Sequence, residues 1–80
     1  FNPQTTIGFA LPRAGAVKLR VFDVRGRMVT ELVNGDLDAG RHEVTWRGQD
    51  ATGRQVSSGT YFYRLTSDGD TRTGKMLLVK

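Results

Sequence analysis

The stretch from Trp46 to Leu65 constrains the fold more than any other part of the chain. An indole closes one run of alternating residues, Asp50 and Gly53 supply a tight polar turn, and Gly59 provides a pivot. Tyr61, Tyr63 and Leu65 then alternate on one face of the next strand. Trp46 and these tyrosines are the largest side chains able to share a core. Each can bury about 150–250 Å², enough to organise a chain of 80 residues around them.

The rest reads as short strands separated by turn residues. Thr5 to Leu11 places Ile7, Phe9 and Leu11 on one face and stops at Pro12. Ala16 to Val24 points Val17, Leu19 and Val21 one way and Lys18, Arg20 and Phe22 the other. Arg25-Gly26-Arg27 makes a hairpin turn into a strand from Met28 to Val33. Asn34 to Gly40 is a loop by its turn chemistry.

Arg41 to Arg47 aligns His42, Val44 and Trp46, Gln49 to Gly53 turns, and Gln55 to Ser57 makes a very short strand. Thr60 to Thr66 and Arg72 to Val79 flank a hairpin turn at Ser67 to Asp70. No window keeps a helical apolar period. The expected fold is all-β: a seven-stranded antiparallel immunoglobulin-like β-sandwich, with residues 1–80 forming one domain. The opening Phe1-Asn2-Pro3-Gln4, without an initiator methionine, reads as the cut end of a longer protein, and no signal peptide is expected in it.

Charge excludes little by itself. The net +4 comes from nine arginines and three lysines against eight acids, but the arginines are spread from Arg13 to Arg72 without a run. That pattern describes a solvated surface, and no nucleic-acid partner is expected. The longest apolar run, Met76 to Val79, is far too short to span a bilayer, so no membrane insertion is expected. There is no cysteine, hence no disulfide.

Catalysis has few candidates. The single histidine, His42, shares a face with Val44 and Trp46 and reads as a packed or hydrogen-bonded residue at a sheet end. Ser57 and Ser58 have no partner that marks a nucleophile. Glu31 and Glu43 lie on different strands, on exposed faces. Asp36 and Asp38 fall in one loop but lack the further carboxylates of a calcium site. Asp50 reads as an Asx-turn residue. No catalytic residue, metal or cofactor is therefore expected. Phe22 and Phe62 point away from the core faces of their strands, where each, if exposed, could contact sugar, a neighbouring domain or a partner, or pack under a loop. In a seven-strand sandwich the second and sixth strands lie in different sheets, so the two rings are not expected to form one platform for stacking on sugar.

Taken together these segments resemble two related groups: the C-terminal β-sandwich domains that sort secreted bacterial proteins through type IX secretion, and the immunoglobulin-like domain of the flagellar hook-capping protein. Phe1 to Ile7 looks like the opening Asn-Pro-x-Thr-x-Ile segment, and Val21 to Val29 like the strand–Gly–strand hairpin. Gly40 to Trp46 with Gly48, Asp50, Gly53 and Val56 is similar to a Trp-x-Gly-x-Asp-x-x-Gly signature. Ser58 to Leu65 looks like the Gly-x-Tyr strand, and Lys75 to Lys80 like the lysine-bounded last strand of a sorting tail. Two departures stand out: Gly74-Lys75 replaces paired lysines, and Ser58 replaces a proline.

The resemblance implies a non-catalytic sorting and anchoring module, with Trp46, Gly48, Asp50, Gly53 and Tyr63 as its structural signature. Gly59, Tyr61, Lys75 and Lys80 would carry sorting recognition, with the last hairpin as the docking surface. The implied partners are the outer-membrane secretion machinery and a parent catalytic or adhesive domain. The implied destination is the cell surface or exterior by way of the periplasm, where a sortase-like peptidase would remove the tail. The alternatives are a structural spacer or assembly domain of hook-cap type, or a carbohydrate-binding module.

Overall fold

The computed structural model describes residues 4–79. Six strands run in order: β1 (Thr5–Leu11), β2 (Gly15–Phe22), β3 (Met28–Leu37), β4 (Gly40–Trp46), β5 (Gly59–Ser67) and β6 (Asp70–Leu78). All pairings are antiparallel. β1 and β4 form a two-stranded sheet, and the other four form a sheet in the order β3-β2-β5-β6.

The inward residues of both sheets meet in one apolar cluster: Ile7, Leu11 and Trp46 from the small sheet, and Val17, Leu19, Val21, Tyr61, Leu65, Met76 and Leu78 from the large one. This is a lopsided sandwich, with two strands covering the inner face of four. The alternation in sequence becomes this division directly, because neighbouring side chains on a strand point to opposite faces.

The seven-strand expectation fails at one place. Gln55 to Ser57 does not form a strand; Gln55 makes only an isolated bridge to Gln49. The expected loop from Asn34 is also corrected. β3 continues through Asn34, Gly35 and Asp36, which pair with Lys18, Val17 and Ala16. Cross-strand hydrogen bonding to β2 outweighs the turn preference of those three residues.

Two register shifts on β3 explain why its pattern was hard to read. They skip Leu32 and Val29 in the pairing with β2, so each sits beside a paired residue that faces the core. Leu32 and Val33, and likewise Val29 with the buried Thr30, are thereby turned inward as consecutive pairs. At the β5–β6 hairpin Asp68 and Gly69 both take positive φ (49° and 83°), the requirement of a type I′ turn.

Candidate functional site

Two regions carry the unusual residues: the connection from β4 to β5, and the outer face of the large sheet. The connection is built around Trp46, which is 2% exposed and meets the Tyr61 ring edge-on at 5.0 Å. Its indole Nε1 donates to the Gln49 carbonyl (2.9 Å), and the Tyr61 hydroxyl donates to the Ser57 carbonyl (2.7 Å). Both polar tips therefore pin the loop they lie beneath. Burial, followed by the negative charge of Asp23, pushes the Tyr61 phenol above its ordinary pKa.

Gly48 is buried at φ +72°, and a Cβ there would come within 3.2 Å of a Leu78 methyl. Asp50 closes the turn. Its Oδ1 accepts from the Thr52 hydroxyl (2.7 Å), the Thr52 amide (2.9 Å) and the Arg54 amide (3.1 Å). The Thr52 hydroxyl first, then the Arg54 amide, hold this carboxyl below its usual range. Gly53 takes the positive φ that the turn needs (88°).

The same device appears at the β2–β3 hairpin, with the same Asp-x-x-Gly-Arg pattern. Asp23 Oδ1 accepts from the amides of Arg25 (2.9 Å) and Arg27 (3.0 Å), and the Gly26 amide donates to the Asp23 carbonyl. The Arg27 amide is the main cause of the lowered Asp23 pKa, opposed by partial burial and supported by the Arg25 amide. Asp23 and Asp50 are thus turn formers, each with Oδ1 engaged by the amides of its own turn.

The remaining residues singled out from sequence are scattered by the fold. Gly59 opens β5 opposite Leu78. Tyr63 faces inward and lies over Gly74, where any Cβ would overlap its ring. Lys75 is exposed on the opposite, outer face, and Lys80 lies outside the described residues, as does Phe1-Asn2-Pro3. Of the residues expected to carry sorting recognition, Tyr61 is buried whereas Lys75 faces solvent.

His42 stacks on Phe9 at 5.5 Å and donates from Nε2 to the Asp38 carbonyl (2.7 Å). Asp36 lies on β3 rather than in a loop with Asp38. Among the described residues, no group of three or more His, Cys, Asp or Glu side chains comes together.

The outer face of the large sheet gathers two rings that the sequence marks only singly. β2 and β5 are neighbours, so Phe22 pairs directly with Phe62, and the expected separation of these rings is corrected. Met28 lies on the other side of Phe22, and Lys75 on the other side of Phe62. In the next row Arg20 faces Arg64. Like charges in that position repel, and each guanidinium turns to another partner. Arg20 Nε donates to Glu31 (2.7 Å), and Arg64 lies over the Phe22 ring at 4.6 Å. Arg20 first, then Asn34, lowers the Glu31 pKa.

With this geometry in hand, comparison with known proteins gives a family. The profile of the FlgD Ig-like domain matches residues 2–71. The chain belongs to this family. It is 38% identical over 60 residues to the basal-body rod modification protein FlgD of Salmonella typhimurium, and equally to that of Salmonella typhi. Each alignment covers 74% of this chain and 26% of the relative, so the matched part of the chain spans about a quarter of their length.

Among solved structures, FlgD from P. aeruginosa superposes with a TM-score of 0.72 at 28% identity, over 94% of this chain and 59% of that one. FlgD from Xanthomonas campestris, a structure described in terms of hook capping essential for flagellar assembly, gives 0.73 at 28% identity, over 96% and 55%.

These matches correct the leading expectation. They lie in flagellar FlgD proteins and not in type IX sorting tails, so the sorting function falls. With it fall the outer-membrane secretion machinery and a catalytic or adhesive parent as partners, and the secreted or cell-surface destination. The segments Trp46 to Gly53 and Gly59 to Tyr61, on which the resemblance to both groups rests, lie within the family match. The lysine-bounded last strand, the feature specific to sorting tails, lies beyond the family match.

Proposed function

We propose that this chain works as a non-catalytic assembly module of hook-cap type, a single rigid β-sandwich that helps hold a FlgD-like protein in its complex during flagellar hook growth. The observation that carries this reading is the family match over residues 2–71. The geometry supports it. Trp46, Gly48, Asp50, Gly53 and Tyr63 serve as frame, and the polar groups of the β4–β5 connection are spent on holding that connection closed. A frame of this kind transmits position instead of performing chemistry.

The test is domain exchange. Residues 4–79, which carry all six strands, replace the Ig-like segment of Salmonella typhimurium FlgD in a strain lacking its own copy, and hooks are counted by electron microscopy beside swimming in soft agar. Hook formation clearly above the deletion strain is expected. A chimaera that accumulates in soluble form yet yields no hooks overturns the assembly reading.

A further inference from the structure

We infer that the outer face of the four-stranded sheet, centred on Phe22, Phe62 and Arg64, is a docking surface for an acidic segment of another protein chain that brings an apolar side chain with it. The inference rests on the proposed assembly role and names the chemistry of the partner.

Three observations converge on it. First, Phe22 and Phe62 stand side by side on the two central strands, Phe62 is 37% exposed, and Met28 (53%) and Leu77 (70%) extend the apolar area to either side. A groove of about 340 Å³ lies against the two rings, between the β2–β3 turn at Val24 and Gly26 and the Arg64 side chain. A single large apolar side chain fits such a groove.

Second, the charge around the rings is one-sided. Lys18, Arg20, Arg64 and Lys75 all have registers that put them on this face. Of the carboxylates, Glu31 is held by Arg20 and Asn34, and Asp23, beside the groove, is held by Arg27 and two amides. Asp36 lies in the row of Ala16, about 20 Å along the strand from the rings. Arg64 has Arg20 and Thr73 as its cross-strand neighbours and Lys75 has Phe62, so neither faces an acid directly, and the one carboxylate in the Arg64 row, Glu31, is taken by Arg20.

Third, the facing of Arg20 and Arg64 across the central strand pair opposes folding. A local choice that works against the fold is expected where a surface serves another purpose. Aromatic rings and arginine together are the residue types that dominate binding energy at protein interfaces, and Arg64 is already held over Phe22 in the free chain.

The test is an NMR titration of the ¹⁵N-labelled 80-residue chain with defined polymers. The probes are a random Glu–Tyr copolypeptide, polyglutamate, a Lys–Tyr copolypeptide, a single-stranded oligothymidylate and maltohexaose. With the Glu–Tyr copolymer, amide shifts are expected at Arg20, Phe22, Phe62, Arg64 and Lys75. Affinity is expected to be at least about fivefold above polyglutamate and to fall as salt rises from 50 to 250 mM, since exposed charges are screened.

Phe62→Ser should abolish the advantage over polyglutamate, and Lys75→Gln should weaken both acidic polymers. Glu43→Gln, on the other sheet, should change nothing. The inference is overturned by shifts confined to other surfaces, by equal response to the Lys–Tyr copolymer, or by a preference for oligothymidylate or maltohexaose. Should a variant fail to fold, Lys75→Gln at an exposed position still decides the charge component. Loss of polymer binding beside successful domain exchange would remove this inference alone. Binding with failed exchange would remove the assembly reading alone.

Discussion

The two faces of the large sheet are made by the same strands and obey opposite rules. On β5, Tyr61, Tyr63 and Leu65 turn inward, while Phe62 and Arg64 turn out. Inside, polar tips are matched to the chain: the indole N–H and the Tyr61 hydroxyl each find a carbonyl, and no buried side-chain polar atom among the described residues lacks a partner. Outside, a guanidinium faces a guanidinium and an aromatic ring stands half in water. The inner face is consistent at every level with one fold, and the outer face is not. That contrast locates where the chain answers to something other than its own stability.

Trp46→Ala breaks the inner face most severely. Emptying that volume costs about 3–5 kcal/mol, most of what holds a small domain, so urea denaturation followed by circular dichroism should find the variant largely unfolded at room temperature. Gly74→Ala comes next, because the new methyl meets the Tyr63 ring. Overpacking of this kind costs about 1–3 kcal/mol. Its signature is coupling: Tyr63→Ala combined with Gly74→Ala should be less destabilising than the sum of the single changes.

Tyr61→Phe is gentler. It removes one hydrogen bond and leaves the Ser57 carbonyl without that donor, at a cost of about 1 kcal/mol. In the parent chain the raised phenol pKa favours the folded state below the unfolded value near 10, and this contribution is lost as pH climbs through the folded value. The fall of the melting midpoint above pH 10 should therefore be shallower in Tyr61→Phe.

The paired Asp-x-x-Gly-Arg turns sharpen the contrast at low pH. Asp23 and Asp50 start from 3.8 and Glu31 from 4.5, and all are lowered on folding. Each therefore contributes stability above its unfolded value and loses it as pH falls through the folded value. The midpoint should hold down to about pH 5 and drop below about pH 4. Asp50→Ala should lower the midpoint at neutral pH more than Asp23→Ala does. The Asp50 turn is also tied to Val29 through the Ala51 amide and sits beside the Trp46 loop, whereas the Asp23 turn ends in an open hairpin.

Much of this was legible in the chain because it is local. Alternation locates the strands, and Asp50 with Gly53 marks a turn by residue type alone, as do Asp68-Gly69 and Gly26. Bulges hid the true run of β3, since the shifts at Leu32 and Val29 break the period that alternation relies on. Asn34-Gly35-Asp36 misled for a different reason: their turn preference is local, and β2 overrode it from a distance. Strand order was beyond reach, because which strands neighbour one another is decided by the whole core. The pairing of Phe22 with Phe62, and with it the outer site, could not be seen until β2 and β5 were placed side by side. The family likeness carried the same asymmetry. The residues on which the resemblance rested, Trp46, Gly48, Asp50, Gly53 and Tyr61, build the frame, so they marked the fold and did not separate the functions.

The most direct test joins stability and assembly in one variant, Phe62→Ser with Arg64→Gln, carried in the exchanged FlgD. If the outer face serves a partner, the melting midpoint of the chain should move by no more than about 4 °C, the shift of an exposed-site change of roughly 0.5 kcal/mol, while hooks are lost. A midpoint that falls as far as it does for Gly74→Ala, or hooks that form in normal number, would contradict the division between the two faces.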